Sequence, residues 1–135
     1  MPTAAKAHTP AGAEAFIRYF FDRLNLAWTS PNAEALKGLC VASSKSCAGY
    51  RDTAERLATD KQHYDSVPVE LVSLVRVAPA DGAEIYDTEA AQTASHIVDG
   101  HGVVIESFSR KLLHLAVYVR WGAQGWIVQD IKKAA

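Results

Sequence analysis

At Ser66 the apolar residues of this chain change their spacing, and the change divides the sequence into a helical part and a sheet part. Before it, Ala13, Phe16, Ile17, Phe20, Leu24, Ala27 and Trp28 recur at intervals of three and four. That spacing puts them on one face of a helix of about five turns. After it, Val67, Val69, Leu71, Ser73, Val75 and Val77 alternate with Glu70, Val72, Leu74 and Arg76, the period of two that marks a strand with one covered face. A one-sided helix and one-sided strands each need something to cover their apolar side, so the two parts are expected to pack on each other.

The helical part opens at Thr9-Pro10, where the threonine hydroxyl can cap free backbone N–H groups and proline gives up a donor that has no helical partner. Residues 1–8 are small and polar and read as a disordered linker remnant, without the apolar run of roughly 7 to 15 residues that a signal peptide needs. Arg18 and Asp22 are spaced as a helical ion pair. Ser30-Pro31 repeats the capping signal and predicts a short second helix burying Leu36 and Leu39 and ending near Gly38 to Cys40. A third helix follows from Cys47 to about Gln62, with Tyr50, Ala54, Leu57 and Ala58 on one face and Arg51, Glu55, Arg56 and Asp60 on the other.

In the sheet part, Pro79-Ala80-Asp81-Gly82 predicts a turn, and Ala83 to Val98 reads as one long, weakly apolar, curved strand. Asp99-Gly100-His101-Gly102 is a hairpin signal leading to Val103–Phe108 and then Lys111–Trp121, and Gly122-Ala123-Gln124-Gly125 leads to a last strand, Trp126–Ile131. The expected fold is α+β: three N-terminal helices packed on a curved four- to five-stranded antiparallel sheet, one domain over residues 9–135. Hairpin connections exclude a doubly wound nucleotide fold, and the chain has neither GxGxxG nor GxxxxGK[ST], so no cofactor is implied. Fourteen Lys and Arg against 15 Asp and Glu leave a net charge of -1 and no basic run beyond Lys132-Lys133, which argues against a nucleic-acid partner. Leu112 to Val119 is interrupted by His114 and Tyr118 and falls far short of the roughly 20 residues that span a bilayer.

The order of elements from Thr9 to Ile131 resembles the nuclear transport factor 2-like superfamily, which includes ketosteroid isomerase and scytalone dehydratase. The resemblance implies a cone-shaped domain whose bent sheet encloses an apolar pocket. Local phrases are similar to a family of uncharacterised actinobacterial lipoproteins: Gly12-Ala13-Glu14-Ala15-Phe16-Ile17-Arg18-Tyr19-Phe20, Leu24-Asn25-Leu26-Ala27, the cysteine pair Cys40 and Cys47, and the closing Trp121-Gly122-Ala123-Gln124-Gly125-Trp126. This second likeness implies an extracytoplasmic, envelope-associated or secreted domain, tied to the membrane only through a lipid anchor on a preceding segment. It carries no catalytic residue with it.

Cys40 and Cys47 read as a disulfide closing a loop of about eight residues, worth roughly 2.5 kcal/mol by loop entropy and natural in an exported protein. Two buried thiols in a cytosolic domain are the alternative. The spacing fits neither a zinc knuckle nor a C-x-x-C redox pair. His96 and His101 flank a hairpin tip, and His63-Tyr64-Asp65 reads as a capping turn, so no metal is expected. Along the strand after Lys111, Leu113, Leu115, Val117, Val119 and Trp121 form the expected core face. His114, Tyr118 and Arg120 then lie outside, or in the pocket if the faces are reversed.

Phe16, Phe20, Trp28, Tyr50 and Leu57 are the expected lining of a pocket for a small apolar ligand. Trp126 and Val128 share a parity opposite to Ile127 and Ile131, which predicts cover on both faces of the last strand and a homodimer through the convex sheet. The favoured function is a non-enzymatic module binding a small apolar ligand or another envelope protein. The rival is a cofactor-free lyase or isomerase of ketosteroid isomerase type, which needs a carboxylate base and an oxyanion donor in the cone. Tyr19, Asp22, His114 and Tyr118 are its candidates, with Tyr50, Tyr86 and Asp87 as further available groups. An assembly factor of an envelope secretion machine is a third possibility.

Overall fold

Thr9 and Pro10 start helix α1 (Pro10–Thr29) as their chemistry dictates: the Thr9 side chain accepts a hydrogen bond from the Gly12 N–H at 3.0 Å. Helix α2 (Lys45–Asp60) is capped in the same way by Ser44, and the chain leaves it through Lys61 in a left-handed conformation. The computed structural model describes residues 1–134. Seven strands follow: β1 (Gln62–Tyr64), β2 (Val69–Ala80), β3 (Ala83–Gln92), β4 (Ser95–Asp99), β5 (Val104–Phe108), β6 (Lys111–Gly122) and β7 (Gly125–Lys133).

The strands form two antiparallel sheets, one of four strands in the order β2-β3-β6-β7 and one of three in the order β1-β4-β5. Helix α1 lies on the larger sheet. Phe16, Ile17, Phe20 and Leu24 from its stripe share one buried cluster with Tyr86, Val117, Val119 and Val128 from the strands. A second, smaller cluster of Leu57, Tyr64 and Ile97 sits under the three-stranded sheet, with Trp28 and Phe108 packed against it.

Several expectations are corrected. The second of the three expected helices is a four-residue 3-10 turn, Ala33–Leu36, capped by Asn32. Helix α1 runs on through Thr29 with Ser30 as its C-cap, and Gly38 at φ +77° ends the helical path, leaving too few residues for an α-helix. Leu36 and Leu39 are nevertheless buried.

The single long strand from Ala83 to Val98 is two strands in different sheets, separated at Thr93-Ala94. Its polar middle is the crossing between the sheets. His63-Tyr64 is not a turn but most of β1, which pairs with β4 through His63↔Val98 and Tyr64↔Ile97. Residues 1–8, expected to be disordered, form a 3-10 turn at Thr3–Lys6 with Ala5 buried in the main cluster. The Trp126 indole donates to the Ala7 carbonyl at 2.8 Å, and the His8 ring stacks on Trp121 at 4.4 Å.

Of the four register shifts among the described strands, two bear on the alternation read from the sequence. In β2 the register passes from Leu71↔Ala90 to Ser73↔Glu89, so Val72 is the extra residue and the covered face moves from Leu71 to Leu74. Val75 and Val77 therefore face outward and are exposed. In β7 Gln129 is the extra residue between Val128 and Asp130, which brings Ile131 to the face of Val128. This bulge is the cause of the parity difference at Ile131, whereas Ile127 lies before it, on the face opposite Trp126 and Val128, and is half-buried. The β6 faces are as expected for Leu113, Leu115, Val117 and Val119, but Trp121 is 38% exposed, near the strand's end.

Cys40 and Cys47 are joined by a disulfide. The residues around Cys40 run parallel to the edge of β7, with Leu39 and Val41 exchanging backbone hydrogen bonds with Val128 at 2.8 and 2.9 Å. The bridge thus ties the start of α2 to a segment already fixed on the sheet.

Candidate functional site

The two sheets share no strand, and their separation leaves a space between the two buried clusters. Phe21, Leu24 and Trp28 border it from the second half of α1, Tyr50 from α2 and Tyr64 from β1. Val69, Leu113 and Leu115 supply the wall on the larger sheet, and Pro68, Gln92 and Phe108 complete the lining where strands pass between sheets. The cavity holds about 210 Å³. Its wall is almost wholly apolar and contains no Asp, Glu, His, Lys or Arg.

Aromatic rings shape one side. Trp28 and Tyr64 stack at 5.6 Å with 19° between planes, and Tyr64 and Phe108 stack at 5.6 Å with 22°. Tyr50 meets Trp28 edge-on at 5.9 Å and 78°. The Trp28 indole N–H donates to the Tyr50 carbonyl at 3.1 Å, which fixes the ring where α1 and α2 meet. Burial, aided by the Asp130 charge, pushes the Tyr50 hydroxyl above its ordinary pKa. Burial and Glu106 do the same to Tyr64 against a smaller opposing pull from Arg56.

Of the five residues expected around a pocket, Trp28 and Tyr50 line this cavity. Phe16 and Phe20 are fully buried in the main core, and Leu57 is fully buried in the smaller cluster. Tyr64, Phe108, Leu113, Leu115 and Gln92 were missed as lining. Leu113 and Leu115 were visible on the core face of their strand, but nothing local in the sequence marks Tyr64 or Phe108 as its neighbours.

The residues of the rival enzymatic reading are not brought together. Tyr19 packs against the main core from α1. Asp22 is exposed on α1 beside a shallow, more open hollow shared with Arg18, Asn25 and Glu70, and Arg18 pairs instead with Glu14 at 3.2 Å. His114 and Tyr118 lie on the outer face of β6, across the sheet from α1. There His114 stands 3.7 Å from Asp87, and Lys132 lies over the Tyr118 ring at 4.9 Å. The Tyr86 hydroxyl is committed to the Pro10 carbonyl at 2.8 Å. A third hollow, of about 410 Å³, is open to solvent between His8, Glu84, Arg120 and Trp121.

Among the described residues no group of three or more His, Cys, Asp or Glu side chains is placed to hold a metal ion. His96 pairs with Asp65 at 3.0 Å, while His101 lies in the turn whose backbone N–H groups bind the Asp99 carboxylate. No described helix is long and apolar enough to cross a membrane.

Among solved structures, the fold is similar to the intermembrane space region of the chloroplast protein ARC6, with a TM-score of 0.67 and 17% identity over 96% of this chain and 98% of that one. It is also similar to Aln2 from a Streptomyces species, with a TM-score of 0.57 and 13% identity over 95% and 94% of the two chains. A third similar structure is an uncharacterized protein with a cystatin-like fold from Caulobacter vibrioides, with a TM-score of 0.55 and 14% identity over 91% and 87%. Identities this low show a shared fold alone. No curated protein matches the sequence. Residues 1–132 match the family of unknown function DUF6318, and the chain belongs to that family.

Proposed function

We propose that this chain is the extracytoplasmic domain of a lipid-anchored actinobacterial protein, and that its cavity holds a small apolar ligand in the manner of a nuclear transport factor 2-like domain. The observation that carries the ligand reading is the space of about 210 Å³ between the two clusters, bordered by aromatic and aliphatic side chains. Left empty, these side chains forfeit the dispersion contacts that an apolar guest would supply. The Cys40–Cys47 disulfide supports the compartment, since such bonds persist where the surroundings are oxidising.

An isomerase or lyase needs a base and a donor facing one space. Here the described lining includes Tyr50, Tyr64 and Gln92 but no carboxylate, and Asp22, His114 and Asp87 lie elsewhere. Binding without chemistry is therefore the better account.

The three tryptophans make the test simple, because Trp28 lines the cavity while Trp121 and Trp126 border the distant open hollow. Titration of ¹⁵N-labelled protein with naphthalene is expected to shift the Trp28 indole resonance and leave Trp121 unmoved. A shift confined to Trp121, or none at all, would overturn the proposal.

A further inference from the structure

We infer that the cavity takes a neutral, flat molecule of one or two aromatic rings. This rests on the ligand-binding reading above and narrows it to a chemical class. Three properties of the wall lead there.

The first is size. A cavity of roughly 150 Å³ accommodates benzene, so the 210 Å³ here suits one or two fused rings. A four-ring sterol skeleton is too large.

The second is shape. Trp28, Tyr64 and Phe108 form an offset stack with planes within 22° of parallel at each step, and Tyr50 stands at 78° to Trp28. Such a stack offers the guest parts of ring faces together with ring edges. A flat aromatic can meet both, face to offset face and edge to face, with about 0.5–1.5 kcal/mol per pair beyond burial. A saturated guest of the same size gains only the burial.

The third is charge. Among the described residues no ionisable side chain other than the two tyrosines borders the space. A carboxylate or ammonium brought in would lose its water without gaining a counter-charge. The ligand is therefore neutral.

The experiment uses the intact, oxidised protein and three probes: naphthalene, decalin and 2-naphthoate, each titrated while the Trp28 indole resonance is followed. Naphthalene is expected to bind about tenfold more tightly than decalin and than 2-naphthoate. Leu113→Trp, with Leu115→Phe as a second filling variant should the first fail to fold, is expected to abolish binding of all three. Decalin binding as tightly as naphthalene would overturn the aromatic assignment while leaving the ligand reading intact. Equal binding of 2-naphthoate would overturn neutrality. Binding of no probe would overturn the ligand reading itself.

Discussion

Asn25 supplies to β2 what a neighbouring strand supplies elsewhere. Its side-chain amide donates to the Val69 carbonyl at 2.8 Å and its side-chain oxygen accepts from the Val69 N–H at 3.0 Å, so both backbone groups of a buried edge residue are satisfied. Asn25→Ala leaves them unpaired, and urea denaturation is expected to show a loss of about 1–3 kcal/mol. Asp130 performs a similar task for α2. Burial opposes its ionisation, but hydrogen bonds from the Ser46 hydroxyl, the Ile131 N–H and the Ser44 hydroxyl prevail and hold its pKa below the ordinary 3.8. Because the folded carboxyl binds its proton less readily than the unfolded one, this stabilisation is complete above the ordinary value and drains away as pH falls through the folded one. Asp65 and Asp99, lowered chiefly by backbone N–H donors from His96 and from Val103, act in the same direction. Asp130→Asn is expected to lower the melting temperature at pH 7 and to flatten its fall between about pH 5 and pH 2, a window set by ordinary carboxylate pKa values. The Thr9 cap was legible because its partner is 3 residues away. Asn25 and Asp130 were not, because their partners lie 44 and 84 residues off.

Helix α1, the turns at Asp81-Gly82 and Asp99–Gly102, and the inner face of β6 were legible because period and turn chemistry are local signals. What escaped were interruptions of period. One extra residue at Val72 and one at Gln129 exchange the faces of a strand, and an alternation count has no means to register them. Strand β1 escaped because three residues are too few to show a period. The N-terminal segment escaped because it is held by single contacts rather than by a stripe. One of these contacts makes a sharp prediction. A methyl group on Gly12 would lie 1.9 Å from the Ala7 carbonyl oxygen, so Gly12→Ala is expected to detach residues 1–8 and restore fast amide exchange there. The disulfide belongs with these connections. Thiol titration of the unreduced protein is expected to find no free cysteine, and Cys40→Ala/Cys47→Ala to cost about 2.5 kcal/mol. Two titratable thiols would contradict the extracytoplasmic proposal.

The described residues form two sheets and two α-helices around two buried clusters, and the cavity lies where the clusters do not merge. Trp28 and Tyr50 were identifiable in the sequence because they sit on helix stripes. Their partners were not, because Tyr64, Phe108 and Leu113 approach them only after the chain crosses from one sheet to the other at Thr93-Ala94 and again after Phe108. The carboxylates and histidine of the rival reading lie apart from this space because Asp22 is on the exposed side of α1 while Asp87 and His114 are on the outer face of the larger sheet. Crystals of the oxidised protein exposed to naphthalene put the account to its test. Ligand density between Trp28, Phe108 and Leu113, with the stack of Trp28 on Tyr64 retained, is the predicted result. An unoccupied or collapsed space there, with naphthalene bound only near Trp121 or nowhere, would contradict it.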